Sequence, residues 1–519
     1  MKESAVTKIR VIVPLTTKRF VAAMRPKYAA AARPDTEISV VGLDRGPASL
    51  ESDYEDSLAV PDILAKVGAA EAEGMDAIII DCMADPGLSP ARELASIPIV
   101  GPAQTAMHLA VILAHRFSVM TVLERDIPLI YRLARLYGLE SNLASVRPVN
   151  IPVLELDRNR ERLIGALVEQ SVKAVLEDGA HILVFGCTGM MGSAQQVEQA
   201  LAERGCAVPV IDPSLAALKL AEGLSDMSLS HSKRTYPPPP PKEVIGYPQV
   251  TKPASDGPVL SGAEGPAVSR PGELQRRARI RVIIPVVGEH WIAPVQEAYG
   301  RAARSGTEIS AVTIDRGPAS IESVRDEALA IPGVLSSVQA AEAEGVDATI
   351  LDCMADPGLD SARELASIPV VGPAQAAMHL AAMLAHRLSV ITVLEQGIPG
   401  VHRQILRYGL TGKVASVRAV NIPVLEMGED RERVTRAVIE ESIRAVREDG
   451  AHIIVPGCTE MIGMAPVVQE GLVERGCDVP VIDPPAVAVK LAEGLVDIGL
   501  THSKRTYPLP PDKEIVGYA

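Results

Sequence analysis

Short apolar runs recur along the chain, separated by longer stretches whose apolar positions fall every three or four residues. Residues 9–13, 38–43, 77–81, 98–100, 117–122, 145–149, 182–185 and 208–211 read as strands rich in Val and Ile. Residues 62–73, 103–114, 128–137 and 160–177 read as helices, the first closed by Gly74. Most of the strand runs are apolar throughout rather than alternating. That pattern belongs to strands covered on both faces, and helix-length segments between them imply parallel sheets with βαβ crossovers. Eight such strands could form one large sheet or two smaller lobes. Two lobes are preferred, because the two best site motifs fall in different halves of the pattern.

The whole pattern is then written again. Arg10-Val-Ile-Val-Pro14 returns as Arg281-Val-Ile-Ile-Pro285, and His231-Ser-Lys-Arg-Thr-Tyr236 as His502-Ser-Lys-Arg-Thr-Tyr507, each 271 positions on and without a gap. Solenoid repeats run about 20–50 residues, so this is a globular unit copied and fused. The expected fold class is α/β. It comprises two tandem copies, each of two Rossmann-like αβα lobes with mainly parallel sheets and a site between the lobes. Copy one is placed at 1–247 and copy two at 279–519, expected to pack as an intramolecular pseudo-dimer open to further homo-oligomerisation. Residues 248–278, rich in Pro, Gly, Ser and Ala, read as a flexible linker.

Composition narrows the function. Apolar residues make up 47% of the 519, enough for sizeable cores, but aromatics only 3%, too few for a base-stacking platform. A net charge of −14 repels phosphate backbones and anionic membranes, which argues against nucleic-acid and membrane partners. The first ten residues lack an apolar signal core, and no run long enough to span a bilayer occurs, so a cytoplasmic location is expected. The six cysteines form three equivalent pairs, Cys82/Cys353, Cys187/Cys458 and Cys206/Cys477, expected as free thiols.

Candidate chemistry lies in two motifs. Asp81-Cys-Met-Ala-Asp-Pro-Gly-Leu88 and Gly186-Cys-Thr-Gly-Met190 each follow a strand, and copy two repeats them as Asp352–Leu359 and Gly457-Cys-Thr-Glu-Met461. Open α/β sheets place ligands at such strand ends. Backbone N–H groups in the following turns are expected to lower the thiol pKa and supply a thiolate near neutral pH. Cys206 and Cys477 lie in Glu-Arg-Gly-Cys before a strand and read as small buried hydrophobes. No local base singles out a Cys–His hydrolase. His108 and His115 read as core or helix-end residues, and no Cys-x-x-Cys or His-Glu-x-x-His spacing suggests a metal. Two thiols on separate lobes suit inversion of a carbon acid, which needs a base on one face and an acid on the other. No cofactor is expected, since neither cysteine motif holds a lysine for a pyridoxal Schiff base.

These motifs resemble the aspartate/glutamate racemase superfamily, most closely its hydantoin and allantoin racemase branch. The likeness covers nearly all of each copy. It includes Gly46-Pro-Ala-Ser-Leu-Glu51 with the later Asp56, the Cys82 segment, Val100-Gly-Pro, Arg116-Phe-Ser-Val-Met-Thr121, Gly186-Cys-Thr-Gly-Met190 and Ser232-Lys-Arg-Thr-Tyr236. The resemblance implies a cofactor-independent two-base racemase acting on a small molecule, with Cys82 and Cys187 as one catalytic pair and Cys353 and Cys458 as the other. Substrate contacts are then expected at Pro14, Thr16, Thr17, Met83, Ala84, Thr188 and Gly189, and in copy two at Pro285, Met354, Ala355, Thr459 and Glu460. The chain departs from the branch where hydantoin racemases carry Asn-Pro-Asn-Thr or Ser after the first strand. Copy one has Val13-Pro-Leu-Thr-Thr17 and copy two Ile284-Pro-Val-Val-Gly288.

The copies also differ from each other. Gly189 becomes Glu460, Phe185 becomes Pro456, Tyr54 becomes Arg325, and Thr16-Thr-Lys-Arg-Phe20 becomes Val287-Gly-Glu-His-Trp291. Either the differences are drift, or the two pockets take different substrates and Glu460 raises the pKa of Cys458 unless Arg325 compensates. Rival functions are a related isomerase or decarboxylase, and a scaffold built from retired racemase domains. The decarboxylases of the superfamily keep one cysteine of the pair, whereas both copies here keep two.

Overall fold

A computed structural model describes residues 6–240 and 277–511. The proposed linker lies outside them except for its last two residues, as do the first five residues of the chain. The chain divides into two compact units, the first holding most of copy one and the second holding copy two together with Ser232–Thr235.

In the first unit the order is β1 (Thr7–Ile12), α1 (Lys18–Ala31), β2 (Thr36–Val41), α2 (Asp53–Ala72), β3 (Ala77–Ile80), α3 (Leu88–Leu94), β4 (Ile99–Val100) and α4 (Pro102–Leu113). There follow β5 (Phe117–Thr121), α5 (Ile127–Tyr137), β6 (Leu143–Pro148), α6 (Arg160–Leu176), β7 (Ile182–Phe185), α7 (Ala194–Ala202), β8 (Val210–Ile211) and α8 (Pro213–Asp226). Two four-stranded sheets result, ordered β2-β1-β3-β4 and β6-β5-β7-β8, and every pairing within them is parallel. The expectation of two α/β lobes with parallel sheets holds.

Burial explains the choice of residues. Ile9, Val11 and Ile12 of β1, the whole of β3 and the whole of β7 are fully buried, as central strands covered on both faces must be. Each such side chain contributes about 1.5–3 kcal/mol on leaving water. The last helix crosses back: α8 packs on α4 and on β1, β3 and β4, so the end of the copy completes the first lobe.

The second unit repeats this as β9 (Arg279–Ile284), α9 (Ile292–Ala302), β10 (Glu308–Thr313), α10 (Val324–Ala343), β11 (Ala348–Leu351), α11 (Leu359–Leu365), β12 (Val370–Val371) and α12 (Pro373–Leu384). It continues with β13 (Leu388–Thr392), α13 (Ile398–Arg407), β14 (Val414–Ala419), α14 (Arg431–Arg447), β15 (Ile453–Pro456), α15 (Ala465–Glu474) and α16 (Pro484–Ile498). Its sheets run β10-β9-β11-β12 and β14-β13-β15, and the counterpart of β8 survives as a single parallel bridge, Ile454 to Val481.

One helix is longer than its apolar pattern suggests. Residues 62–73 read as a helix beginning after Pro61, but α2 starts at Asp53 and carries Pro61 inside it. A side-chain cap at Ser52 explains the earlier start. Glu55 N donates to the Ser52 hydroxyl, while the Glu55 carboxylate accepts from Glu51 N and from Ser52 Oγ. Asp53, Glu55 and Asp56 add negative charge to the first turn, where the helix dipole favours it.

Candidate active site

Each cysteine sits two residues past the end of a buried inner strand: Cys82 after β3 and Cys187 after β7. Both line one cavity of about 50 Å³ in the first unit, with Glu51, Asp56, Met83, Ala84, Asp126 and Thr188 among its walls. The two motifs also touch, because the Thr188 hydroxyl donates to the carbonyl oxygen of Asp81 at 3.2 Å. The second unit repeats the contact from Thr459 to Asp352 at 3.3 Å. Close approach of backbone sets the residue before Cys187, since a Cβ on Gly186 would stand 2.7 Å from the Met120 carbonyl oxygen.

The carboxylates flanking Cys82 hold its loop. Asp81 is buried, accepts from Tyr28 Oη at 2.7 Å and from Ser214 Oγ at 3.1 Å, and is raised to about 6 by burial. Asp85, in the left-handed region at φ 48°, caps α4. It accepts from Ala103 N at 3.1 Å, Gln104 N at 2.9 Å and Tyr137 Oη at 2.5 Å. Gly101 must be glycine beside it, because a Cβ there would lie 2.6 Å from the Asp85 carboxyl.

The expected lowering of the thiol pKa does not occur. The turns do aim donors at sulfur: Ala84 N lies 3.5 Å from Cys82 Sγ, and Gly189 N–H favours the Cys187 thiolate. Burial outweighs them. It pushes Cys82 well above the ordinary thiol range, helped by the charge of Asp56, and pushes Cys187 up to about 12. Cys353 and Cys458 behave alike, Cys458 also reaching about 12. Removing two polar groups from water thus wins over one or two backbone N–H donors, and the resting thiols stay protonated. All six cysteines are free, and Cys206 and Cys477 are buried, as read from the sequence.

Asp56 is a functional candidate that the residue-by-residue reading passed over, except as part of a family motif. Burial, then the charges of Asp53, Glu55 and Asp126, raise it to about 7. Its counterpart Glu327 is likewise raised by burial, so an acid kept in both copies was the available signal. Since a carboxylate beside a thiol opposes its ionisation, Asp56→Asn should make Cys82 ionise at lower pH. We expect iodoacetamide to label Cys82 faster in that variant at pH 8, read by mass spectrometry. An unchanged or slower rate would remove Asp56 from the electrostatics of Cys82.

Other expected contact residues divide between the copies. Met83, Ala84 and Thr188 line the first cavity; Pro14, Thr16, Thr17 and Gly189 do not. The Thr16 and Thr17 hydroxyls instead donate to the carbonyls of Pro47 and Ala48, at 3.1 and 2.6 Å, bracing the neighbouring loop. In the second unit Pro285, Met354, Ala355, Thr459 and Glu460 all line a cavity with Cys353 and Cys458. Arg325 is not among its walls. Its side chain is 82% exposed beside Asp326, so it cannot compensate Glu460, and the cation acting there is Arg431. Cys187 and Cys458 reach the same value, so the expected difference between them is not seen. Part of the reason is that Glu460 itself is raised to about 7 by burial, with Asp352 adding to it.

Among the described residues no group of three or more His, Cys, Asp or Glu could hold a metal ion, and no helix is long and apolar enough to cross a membrane.

Comparison with known proteins places the chain in a family. The sequence model described as Asp/Glu/Hydantoin racemase matches residues 9–221 and again 280–492. The chain belongs to this family. It is an isomerase in tandem duplication. One copy's length is 41% identical over 240 residues to a hydantoin racemase of Pseudomonas sp. (strain NS671), spanning 46% of this chain and 94% of that protein. A hydantoin racemase of Rhizobium meliloti is 40% identical over 213 residues, 41% of this chain and 86% of its own. Among solved structures, the allantoin racemase from Klebsiella pneumoniae shares 38% identity, covering 46% of this chain and 96% of its own, with a TM-score of 0.44.

Proposed function

We propose that each unit is a cofactor-independent two-base racemase or epimerase, acting at the acidic α-carbon of a small cyclic ureide or an amino-acid derivative. One observation carries the reading. Two thiols reach a single cavity from the ends of two separate sheets, bridged by the Thr188 to Asp81 hydrogen bond. A substrate carbon between them would meet sulfur on both faces. One thiolate takes the α-proton, leaving an enolate, and the opposite thiol delivers its own proton to the other face. The charges balance, because the first sulfur ends protonated and the second ends as thiolate. The reverse turnover exchanges the roles. Ala84 N–H and Gly189 N–H, aimed at the sulfurs, hold the thiolate once formed. The cyclic ureide is favoured because full-length relatives at about 40% identity are hydantoin racemases.

Burial sets the pH behaviour. Thiols held protonated at neutral pH require deprotonation of one member before turnover. Activity should therefore rise with pH through the neutral range. The decisive measurement is exchange of the substrate α-proton in D₂O, followed by NMR, with loss of optical rotation, across hydantoins, allantoin and amino acids. Exchange accompanied by racemisation supports the reading. A protein that leaves every α-proton in place, or exchanges without racemising, contradicts it.

A further inference from the structure

The two pockets differ in size and in where their carboxylates lie. The second unit's cavity is about 140 Å³, against about 50 Å³ for the first. The chain states the cause along one wall. Asp126, Leu129 and Ile130 line the first cavity, and their counterparts Gly397, Gly400 and Val401 line the second. Two side chains are removed and a third shortened at one place. Neither glycine is demanded by the backbone. Gly397 has φ −78°, and a Cβ would meet nothing closer than 3.7 Å there and 3.6 Å at Gly400. A Cβ would fit at both positions, so the absence of side chains there leaves space on the cavity wall.

A carboxylate has been relocated at the same time. In the first unit Asp126 accepts from Leu123 N at 3.0 Å. Residue 189 there has no room for a side chain, its Cβ position lying 2.9 Å from Leu156 Cδ1 and 3.2 Å from the Phe20 ring. In the second unit Phe20 is replaced by Trp291, and Glu460 projects from the turn after Cys458 as part of the cavity wall. The Glu460 carboxylate makes no hydrogen bond or ion pair with a described residue. Trp291 lines the same cavity, and its buried Nε1 has no partner among the described residues. Lys27, which favours the Cys187 thiolate, corresponds to Ala298, so the cation near the second cysteine is also gone. Arg403 also lines the second cavity, but its charge acts on Glu327 rather than on Glu460.

We infer that the second pocket takes substrates whose α-carbon substituent is longer and ends in an ammonium, guanidinium or other N–H donor, which Glu460 receives. The first pocket keeps to compact substituents. This rests on the proposed racemase reading, and it assigns the two copies different substrates of one reaction.

The full chain tests it in two forms, Cys353→Ser/Cys458→Ser leaving the first site and Cys82→Ser/Cys187→Ser leaving the second. Each is assayed on hydantoins whose 5-substituent is methyl, butyl, 4-aminobutyl or 2-carboxyethyl. The second site should favour aminobutyl over methyl, by kcat/KM, at least tenfold more than the first site does. Glu460→Gln should cut its aminobutyl-to-butyl ratio about tenfold. Gly400→Leu should reduce the aminobutyl-to-methyl ratio similarly, and Leu129→Gly in the first site should raise it, which guards against a Gly400 variant that folds poorly. The same panel is also run as protection of Cys187 and Cys458 from iodoacetamide in the unmodified chain. Selectivity is then read even if nothing racemises, an outcome that would sink the racemase reading alone. Equal profiles for the two sites, or a second site that prefers carboxyethyl, would overturn the assignment.

Discussion

Cys82→Ser, made in a chain whose second pair is already disabled by Cys353→Ser/Cys458→Ser, is expected to lower racemisation about 10³-fold, and Cys187→Ser equally. The argument runs from acidity. Burial already pushes the Cys187 thiol up to about 12 and Cys82 well above its ordinary range. A serine hydroxyl in the same dry position would be several units weaker still as an acid, so it could neither give up its proton nor be ionised to accept one on its face. The two variants should differ in what survives. Each keeps one competent face, so each should exchange the α-proton of one enantiomer in D₂O without net inversion, and the two should prefer opposite enantiomers. Racemisation within tenfold of the parent by either variant would end the two-base assignment. The same enantiomer preference in both would place the thiols on one face of the substrate.

The strands were legible in the sequence because a parallel strand covered on both faces must be apolar throughout. Runs such as 182–185 have little freedom to be anything else, and β7 occupies those residues. Helix α1 was not assigned, since it carries Pro26 and its apolar stripe of Phe20, Val21, Met24 and Tyr28 is thin. Helix α2 was half-read, because Pro61 looked like a start while the Ser52 side-chain cap set the true one. At the site, cysteines at strand ends announce themselves, as ligand positions in open sheets do. Their acidity did not, because donors are visible in a turn sequence whereas burial is a property of the assembled lobes. The enlargement of the second cavity was written in the chain as Asp126, Leu129 and Ile130 against Gly397, Gly400 and Val401. Only the fold reveals that these residues share one wall.

The second large effect concerns stability. Asp85→Ala is expected to destabilise the first unit by about 3 kcal/mol or more, through hydrogen bonds left without an acceptor. The carboxylate takes the Ala103 and Gln104 N–H groups at the start of α4 and the Tyr137 hydroxyl on α5, all in buried surroundings. Each donor stranded away from water costs about 1–3 kcal/mol. Alanine must also hold φ 48° there, a left-handed position that adds roughly 1 kcal/mol of strain. Working against this, burial raises the pKa of Asp85, so removing the charge returns some desolvation free energy. Three lost acceptor contacts outweigh that return. Asp85→Asn keeps one carbonyl oxygen and a side chain that tolerates the left-handed region, so it should lose less. Urea unfolding of the full chain, with Asp356→Ala as the matched change in the second unit, measures both. A loss below about 1 kcal/mol for Asp85→Ala would show that the donors find other partners. Asp85 would then be free to serve the cysteine loop in some other way, and its conformation in both copies would have to be explained by the chemistry at Cys82 and Cys353 rather than by the capping of α4 and α12.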